Sequence, residues 1–428
     1  MNQQAIHPNL IKQICRAFVT ATTASFVIAC GGGGGGGGGS TPVATPPPTT
    51  PPPTMTTGDD ARRAVLADIG TQIILPALQS FNTDAAMLAS ATMSVASAPS
   101  DATATDQART AWNSAMDSWQ RNEVLQVGPS GRSSNPDAVA GGQDFREFIY
   151  SFPFTLDICA LEQAAFDGSA VNGATPINIT GLGALEHLLF TDAAPASCSA
   201  QPTASARASH ANRLAERIAV LANSLVQRWE STDGDFIGQW STAGLSTSVT
   251  YSTPQSALDA LSIALFYVEK VTKDRKVAQP AGLPVTGLSC SQPASCPEFL
   301  ESSLSTRSGT NLLINIQVFR DVFTGLNGGM GINDLLTGID REDVATEVIA
   351  ELDAAIASIT SIQNGAGFDA SVSAINDRNE CINASANSQG LEPCAFHGVL
   401  KTAMDTFRGP VVSALSLAIP QSAAGDND

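Results

Sequence analysis

Basic residues are scarce in this 428-residue chain, which has 22 Lys and Arg against 40 Asp and Glu and a formal net charge of −18. Proteins that bind nucleic acids need clusters of basic side chains for the phosphate groups, so this balance argues against a nucleic acid as partner. None of the five lysines follows a glycine, which excludes a P-loop, and no GxSxG sequence is present for a hydrolase nucleophile.

Histidine is equally rare, with four residues, and the chain contains no HExxH motif and no CxxC spacing. A catalytic zinc site needs about three protein ligands and one open position. Beyond His7 near the N-terminus, only His187, His210 and His397 are present. The common sequence motifs of zinc peptidases are therefore excluded, and only ligands that converge from distant positions stay open.

Hydrophobic residues make up 43% of the chain, and from Asp59 onward they recur at helical spacing. Few segments alternate with the period of two that is typical of strands. The pattern predicts an all-α protein. Beyond the helices that begin near residues 61 and 104, the predicted helical segments are 144–166, 180–190, 203–229, 254–275, 298–323, 332–337, 341–363, 368–376 and 394–418.

The N-terminus resembles a bacterial lipoprotein leader. Lys12 and Arg16 precede an apolar run, 17–29, that is too short to span a bilayer and has the size of a signal-peptide core. The run ends at Cys30, where a lipid would be attached; a signal peptide cut elsewhere is the alternative. Residues 30–57 form a Gly/Pro-rich tether. We therefore expect a lipid-anchored envelope protein, in the outer membrane because Gly31 rather than Asp follows Cys30.

Six cysteines remain after Cys15 and Cys30, and an even number suits an oxidising compartment. Six cysteines allow 15 connectivities. Proximity along the chain favours the pairs Cys290–Cys296 and Cys381–Cys394, which leaves Cys159 with Cys198.

A polar, Gly-rich stretch at 231–253 divides the remaining chain into halves of similar size, each with enough amphipathic segments for a helical bundle. The predicted organisation is a leader at 1–29, the tether at 30–57, a first bundle at 58–248 and a second at 249–428. A duplicated four-helix-bundle architecture is a hypothesis from the matching halves, since no exact repeat is present.

The segment GLGALEHLLF, 181–190, is the first candidate site. Thr180 is a plausible N-cap, and Leu182, Leu185 and Leu189 form one buried stripe. Each glycine in the first turn costs about 1 kcal/mol of helix propensity relative to Ala, which needs a structural or functional reason. Either Gly181 and Gly183 allow tight packing, with Glu186 paired to an Arg and His187 in solvent, or they allow a ligand to approach Glu186.

A second candidate lies at Glu298 and Glu301, which precede spaced serines. One interpretation is a helix N-terminus, where Pro and acidic side chains are favoured. The other is that Glu301 meets Glu186, Asp157 or Glu123 in a pocket whose oxygen atoms suit a hard cation such as ferric iron. Arg207 is a further candidate, because it could pair with one of these carboxylates in a structural ion pair.

GLGALEHLLF resembles the GxHxxE signature of the imelysin family, followed by its Leu-Leu pair. Further stretches resemble family segments: AWNSAMDSWQRNEVLQVGP at 111–129, FIYSFPFTLDICALE at 148–162 and PEFLESSLSTRSGTNLLINIQVFRDVFTG at 297–325. The resemblance runs from about residue 60 to the C-terminus. It implies two helical bundles in an exported, often lipid-anchored protein of a group placed with metallopeptidases and associated with iron uptake.

The match departs from the signature at one position, because Gly183 occupies the place of the histidine while Gly181 and Glu186 are kept. His187 lies about 100° further around the helix and does not replace it. We therefore expect a non-catalytic envelope protein that binds iron, zinc or a metal-bearing ligand, with Glu186 and Glu301 as candidate metal ligands. The alternatives are a metallopeptidase that uses Glu186 and a structural or protein-interaction lipoprotein.

Overall fold

The computed structural model describes residues 58–133, 139–232, 234–292 and 294–424. The predicted leader at 1–29, the lipid-attachment residue Cys30 and the tether at 30–57 lie outside the described residues, so these assignments stay predictions.

The prediction of an all-α protein is confirmed, since the described residues form helices and no β-strand. Regular helices of the first part are α1 Asp59–Ile69, α2 Leu75–Ser97, α3 Ala102–Glu123, α4 Phe145–Ile149, α5 Ile158–Asp167, α6 Gly181–Phe190, α7 Ala204–Trp229 and α8 Phe236–Ser241. Those that follow are α9 Pro254–Leu265, α10 Gln279–Ala281, α11 Ser308–Thr324, α12 Ile332–Thr337, α13 Glu342–Asn364, α14 Phe368–Ser373, α15 Arg378–Asn387, α16 Glu392–Thr406 and α17 Val412–Leu415.

Three wider π-helical segments, Gly70–Ile74, Val268–Ala278 and Phe407–Val411, each join two regular helices. The first makes Asp59–Ser97 one continuous helix that is apolar enough to cross a membrane by length and composition. Its buried face packs on α3 and α7, which is how a core helix of a globular protein behaves.

The helices α2, α3 and α7 pack side by side and form the centre of the first part of the chain. The stripe of α7 that faces inward contains Leu214, Ile218, Leu225 and Trp229, at the three- and four-residue spacing of an amphipathic helix. Later in the chain, α13 packs against both α11 and α16. These two groups supply most of the apolar core.

The two groups meet where α3 packs against α11, and α1 packs against α9 as a second contact between the first and later parts of the chain. One continuous cluster of buried apolar side chains extends from Ala61 to Ala423 and so includes residues from both predicted bundles. The division of the chain at residue 248 stays a prediction.

All three predicted disulfides are present, joining Cys159 to Cys198, Cys290 to Cys296 and Cys381 to Cys394. Proximity along the chain was a sufficient guide because two of the bridges close short loops. The third fastens the beginning of α5 to the loop before α7.

Two predicted helices are wrong in their extent. The segment 144–166 divides into α4 and α5, with an irregular stretch between them that contains Pro153. Proline lacks the N–H that a continuing helix needs. The segment 298–323 becomes helical only at Ser308, after a 3₁₀ turn at Pro297–Phe299 and a series of turns. This irregular stretch turns the side chain of Glu301 into the interior, where it is fully buried.

Candidate functional site

Three segments surround a cleft of about 270 Å³: the irregular stretch between α4 and α5, helix α6, and the turns before α11. The two irregular stretches form its walls, and α6 carries Gly183 and Glu186 along one side. The lining residues include Tyr150, Phe152, Phe154, Leu156, Ile158, Gly183, Glu186, Glu298, Phe299, Glu301, Ser303 and Leu304. The cleft therefore has mainly apolar walls with a few acidic groups.

The two glycines of α6 serve different purposes. Gly181 has a φ of 77°, and a Cβ at this position would lie 2.5 Å from the carbonyl oxygen of Ile149. Gly183 has no such constraint: its Cβ would meet Leu156 at 3.5 Å and Tyr150 at 3.7 Å, which are ordinary contacts. Tight packing thus explains Gly181. The missing side chain of Gly183 instead leaves space on the cleft wall.

Glu186 is buried beside the cleft, with 5% of its surface exposed. Its Oε1 accepts hydrogen bonds from the backbone N–H of Ser305 at 3.0 Å and from the Ser305 hydroxyl at 2.7 Å. Among the described residues, no Lys or Arg forms an ion pair with it. Burial raises the pKa of Glu186 to about 7, and the charges of Glu301 and Asp369 act in the same direction. The prediction of an Arg partner is therefore wrong, because the partner is Ser305.

Glu301 also lines the cleft, but internal donors surround its carboxylate. Lys276 Nζ lies 2.9 Å from Oε1 in an ion pair. The same oxygen accepts from Gln120 at 2.8 Å and from the Tyr150 hydroxyl at 3.0 Å, and Oε2 accepts from Asn311 at 3.0 Å. The helix-N-terminus interpretation is wrong for Glu301, and the alternative holds in part, since Glu301 and Glu186 do line one cleft.

Glu123 and Asp157, the other predicted members of the acidic pocket, do not join it. Glu123 is fully buried against Arg146, with 2.7 Å between Arg146 Nη2 and Oε2, and it also accepts a hydrogen bond from the Tyr267 hydroxyl. Asp157 is exposed and caps α5 by accepting from the N–H of Ala160 at 3.0 Å. Both carboxylates thus have structural roles that their sequence positions did not reveal.

His187 and Arg207 converge on Glu162, a residue that the sequence analysis did not single out. His187 is buried, not in solvent, and its Nε2 lies 2.8 Å from Glu162 Oε1. Arg207 Nε donates to both oxygens of Glu162 at 3.2 Å. Burial acts to raise the pKa of Glu162, but the hydrogen bond from His187 and the charge of Arg207 hold it below its ordinary value. Arg207 therefore neutralises Glu162 rather than any of the four predicted carboxylates.

Tyr150 and Lys276 were not predicted as site residues. Ser305 is one of the spaced serines of the second candidate site, but its hydrogen bonds to Glu186 were not predicted. Lys276 is fully buried in the π-helical segment Val268–Ala278, and it donates to Gln120 and Asn315 besides its ion pair with Glu301. Desolvation by burial lowers its pKa, although Glu301 opposes this shift. Lysine is rare in this chain, and this was a usable signal for Lys276. Three of the five lysines fall within 270–276, in a segment that precedes the second candidate site.

A bare zinc or iron ion held by protein ligands does not fit these residues. Glu301 already has Lys276 and three further donors, His187 is bound to Glu162, and Gly183 offers no donor atom. Among the described residues, no three His, Cys, Asp or Glu side chains are placed to hold one metal ion. Among the described lining residues, Glu186 and the exposed Glu298 present carboxylate oxygens without an internal partner, and two carboxylates are fewer than the three or more ligands of a protein metal site.

Comparison with known proteins agrees with the fold. The family model described as imelysin matches residues 74–390. The structure is similar to an imelysin-like protein from Psychrobacter arcticum 273-4, with 11% identity, a TM-score of 0.62 and coverage of 85% of this chain and 98% of the other. It is also similar to a protein of Parabacteroides distasonis ATCC 8503 provisionally named iron-regulated protein A precursor. That match has 15% identity, a TM-score of 0.60 and coverage of 83% and 97%. No curated protein matches the chain.

The two glycines of α6 predict opposite responses to alanine. Gly181→Ala should lower the free energy of unfolding by about 1–3 kcal/mol, because the methyl group meets a backbone oxygen and φ is positive. Gly183→Ala should leave it unchanged or raise it by up to about 1 kcal/mol, because helix propensity improves without a clash. Urea unfolding of the two variants measures this, and equal effects would contradict the assigned roles.

The raised pKa of Glu186 predicts a pH-dependent stability. The folded protein keeps the proton up to about pH 7, whereas the unfolded chain loses it near 4.5, so the free energy of unfolding falls as pH rises through this window. Glu186→Gln removes this dependence. Relative to wild type, the variant should gain up to about 3 kcal/mol between pH 4.5 and 8.

Urea unfolding in the presence of chelator, at several pH values, measures the difference between the two proteins. Glu347→Gln on α13 is a suitable control, because Glu347 is an exposed glutamate outside the cleft, and replacement of an exposed side chain should change the stability little at any pH. Parallel stability curves for wild type and Glu186→Gln would show that Glu186 does not hold its proton in this way.

Proposed function

We propose that this chain, which belongs to the imelysin family, is a non-catalytic binding protein of the bacterial cell envelope that serves the uptake of iron or another metal. The observation that carries the proposal is the cleft beside α6. It combines apolar walls with one buried carboxylate, Glu186, that has no cationic partner among the described residues. Pockets of this composition, with a few polar groups on apolar walls, are typical of small-molecule binding sites.

The donor set favours binding over peptidase chemistry. A metallopeptidase needs a metal held by about three protein ligands, with one open position for water. In this chain Glu301, Glu123 and Glu162 are neutralised by Lys276, Arg146 and Arg207. Their lone pairs are occupied by internal donors, so Glu186 lacks the companions that a zinc-bound water would require.

The same donor set indicates which form of metal the cleft would receive. A bare ion would find two unpaired protein carboxylates, Glu186 and the exposed Glu298, and mostly carbon atoms around them. A metal-bearing ligand brings its own donor atoms and needs only shape and a few polar contacts. The link to iron is supported by the family and by the provisional name of the Parabacteroides distasonis relative. We therefore propose a chelated metal as the cargo, rather than a free ion.

An envelope location is part of the proposal. The apolar run at 17–29 and Cys30 support export and lipid attachment, with the outer membrane as the expected site. The three disulfides support an oxidising compartment, because such bonds are rare in the reducing cytosol. The direct evidence would come from membrane fractionation. The wild-type chain should leave the membrane fraction only with detergent, and the Cys30→Ser variant should be absent from that fraction.

The proposal predicts saturable binding of iron complexes by the purified full chain. We expect calorimetric titration with ferric citrate and with a ferric trihydroxamate to give one site per chain for at least one complex, with affinity at least tenfold weaker in Glu186→Ala. Glu351→Ala should bind as the wild type does, because Glu351 lies outside the cleft.

Two results would overturn the proposal. The first is the absence of saturable binding of either complex by the folded wild-type chain. The second is zinc-dependent cleavage of casein that chelator abolishes and that Glu186→Gln also lacks, since this would establish the peptidase alternative.

A further inference from the structure

Exposed apolar side chains surround the mouth of the cleft. Phe154 and Leu304 are 47% and 45% exposed, and Phe299 and Ile158 are 38% and 36% exposed. All four line the cleft, although they come from segments far apart in sequence. Contiguous exposed apolar surface on a soluble protein usually marks a binding site. These four side chains form an apolar rim, which continues the apolar wall of the cleft outward.

Inside the cleft, the carboxylate of Glu186 is held in place by hydrogen bonds from a single residue, Ser305. Both of its hydrogen bonds come from Ser305, and both end on Oε1. Within the described part of the chain, Oε2 accepts no hydrogen bond. Because Glu186 lines the cleft, this oxygen is available to an occupant as a buried, negatively charged acceptor.

The charge of the cleft is negative. Glu298 at the rim adds to Glu186, and no Lys or Arg is among the lining residues. The nearby cations are engaged elsewhere, since Lys276 pairs with Glu301 and Arg207 with Glu162. A cleft with negative side chains favours a cationic ligand by charge complementarity.

Aromatic side chains in the cleft also favour a positively charged ligand. Tyr150 and Phe152 stack on each other, and Arg146 and Lys276 already lie 6.0 and 5.7 Å from the centres of these two rings. The aromatic side chains left for a ligand are Phe154 and Phe299, which line the cleft and are partly exposed. The faces of aromatic rings attract ammonium groups, most strongly where water is excluded. A volume of about 270 Å³ is at the lower limit of small-molecule pockets, so it suits one arm of a ligand whose remainder lies on the apolar rim.

From these contacts we infer that the cleft receives an organic cation: a protonated amine at the end of a short hydrocarbon arm. The ammonium group donates to Oε2 of Glu186, the arm lies against Phe152 and Leu156, and the rest of the ligand covers the exposed rim. This inference rests on the proposed function, because it names the part of the cargo that enters the cleft. No covalent step is involved.

The test uses hexylamine and 1-hexanol, which have arms of equal length and differ in charge. Calorimetric titration of the purified full chain at pH 7.5, with chelator present, should give at least tenfold tighter binding of the amine. Hydrogen bonds between charged groups are the stronger kind, which sets this expectation. Glu186→Gln should lose at least tenfold in affinity for hexylamine and keep its affinity for hexanol.

Two further variants complete the design. Leu156→Ser should weaken the binding of both compounds, because Leu156 contacts the arm and not the charge. Glu351→Gln should leave both affinities unchanged. Circular dichroism and thermal unfolding establish that each variant is folded, so a loss of binding is attributable to the cleft.

Equal affinity for amine and alcohol, no binding of the amine, or full binding of the amine by Glu186→Gln would overturn the inference. Its failure is distinguishable from failure of the proposed function. Iron complexes that bind through Glu186 while hexylamine does not would leave the function standing without a cationic arm. Hexylamine that binds through Glu186 while neither iron complex binds would remove the metal link and keep the cation site.

Discussion

A carboxylate buried among helices destabilises a fold by several kcal/mol unless a cation and hydrogen-bond donors accompany it. Three such pairs lie around the cleft in the described part of the chain: Glu123 with Arg146, Glu301 with Lys276, and Glu162 with Arg207. Each pair joins segments that are distant in sequence. Helices α3, α4, α5 and α7, the π-helical segment Val268–Ala278 and the turns before α11 must therefore assemble in one register for these charges to be tolerated.

Glu186 is the exception that gives the cleft its chemistry. It is as buried as the paired carboxylates, but its donors are a hydroxyl and a backbone N–H of one residue, Ser305. Because no cation compensates its burial, its pKa is raised and it gains from any cationic ligand. The side chain absent at Gly183 adds open space nearby. Together these features favour a ligand-binding cleft over an internal metal centre.

The sequence predicted what depends on local pattern. Helical periodicity indicated an all-α protein, cysteine spacing indicated the disulfides, and α6 was placed correctly. The sequence also indicated Glu186 and Glu301 as candidate site residues, and the fold brings both to one cleft. The partners of charged residues were mostly missed: Glu123 with Arg146, Glu162 with His187 and Arg207, and Glu301 with Lys276. Pairing of this kind depends on which helices meet, and that information is not present in the spacing along any one segment. The helix predicted from residue 298 begins only at Ser308, after the turns in which Glu301 points inward to Lys276. The spacing along this segment did not reveal that contact.

The measurement that tests this account most directly is a double-mutant cycle on the Lys276–Glu301 pair, followed by urea unfolding of the purified protein. If the pair neutralises itself in the interior, Lys276→Met and Glu301→Gln should each lower the free energy of unfolding by about 3–5 kcal/mol, because each leaves one buried charge alone. The double variant should then be clearly more stable than the sum of the two losses implies. Strictly additive losses would contradict the account, because they would show that Glu301 does not depend on Lys276 and remains free to bind a metal ion.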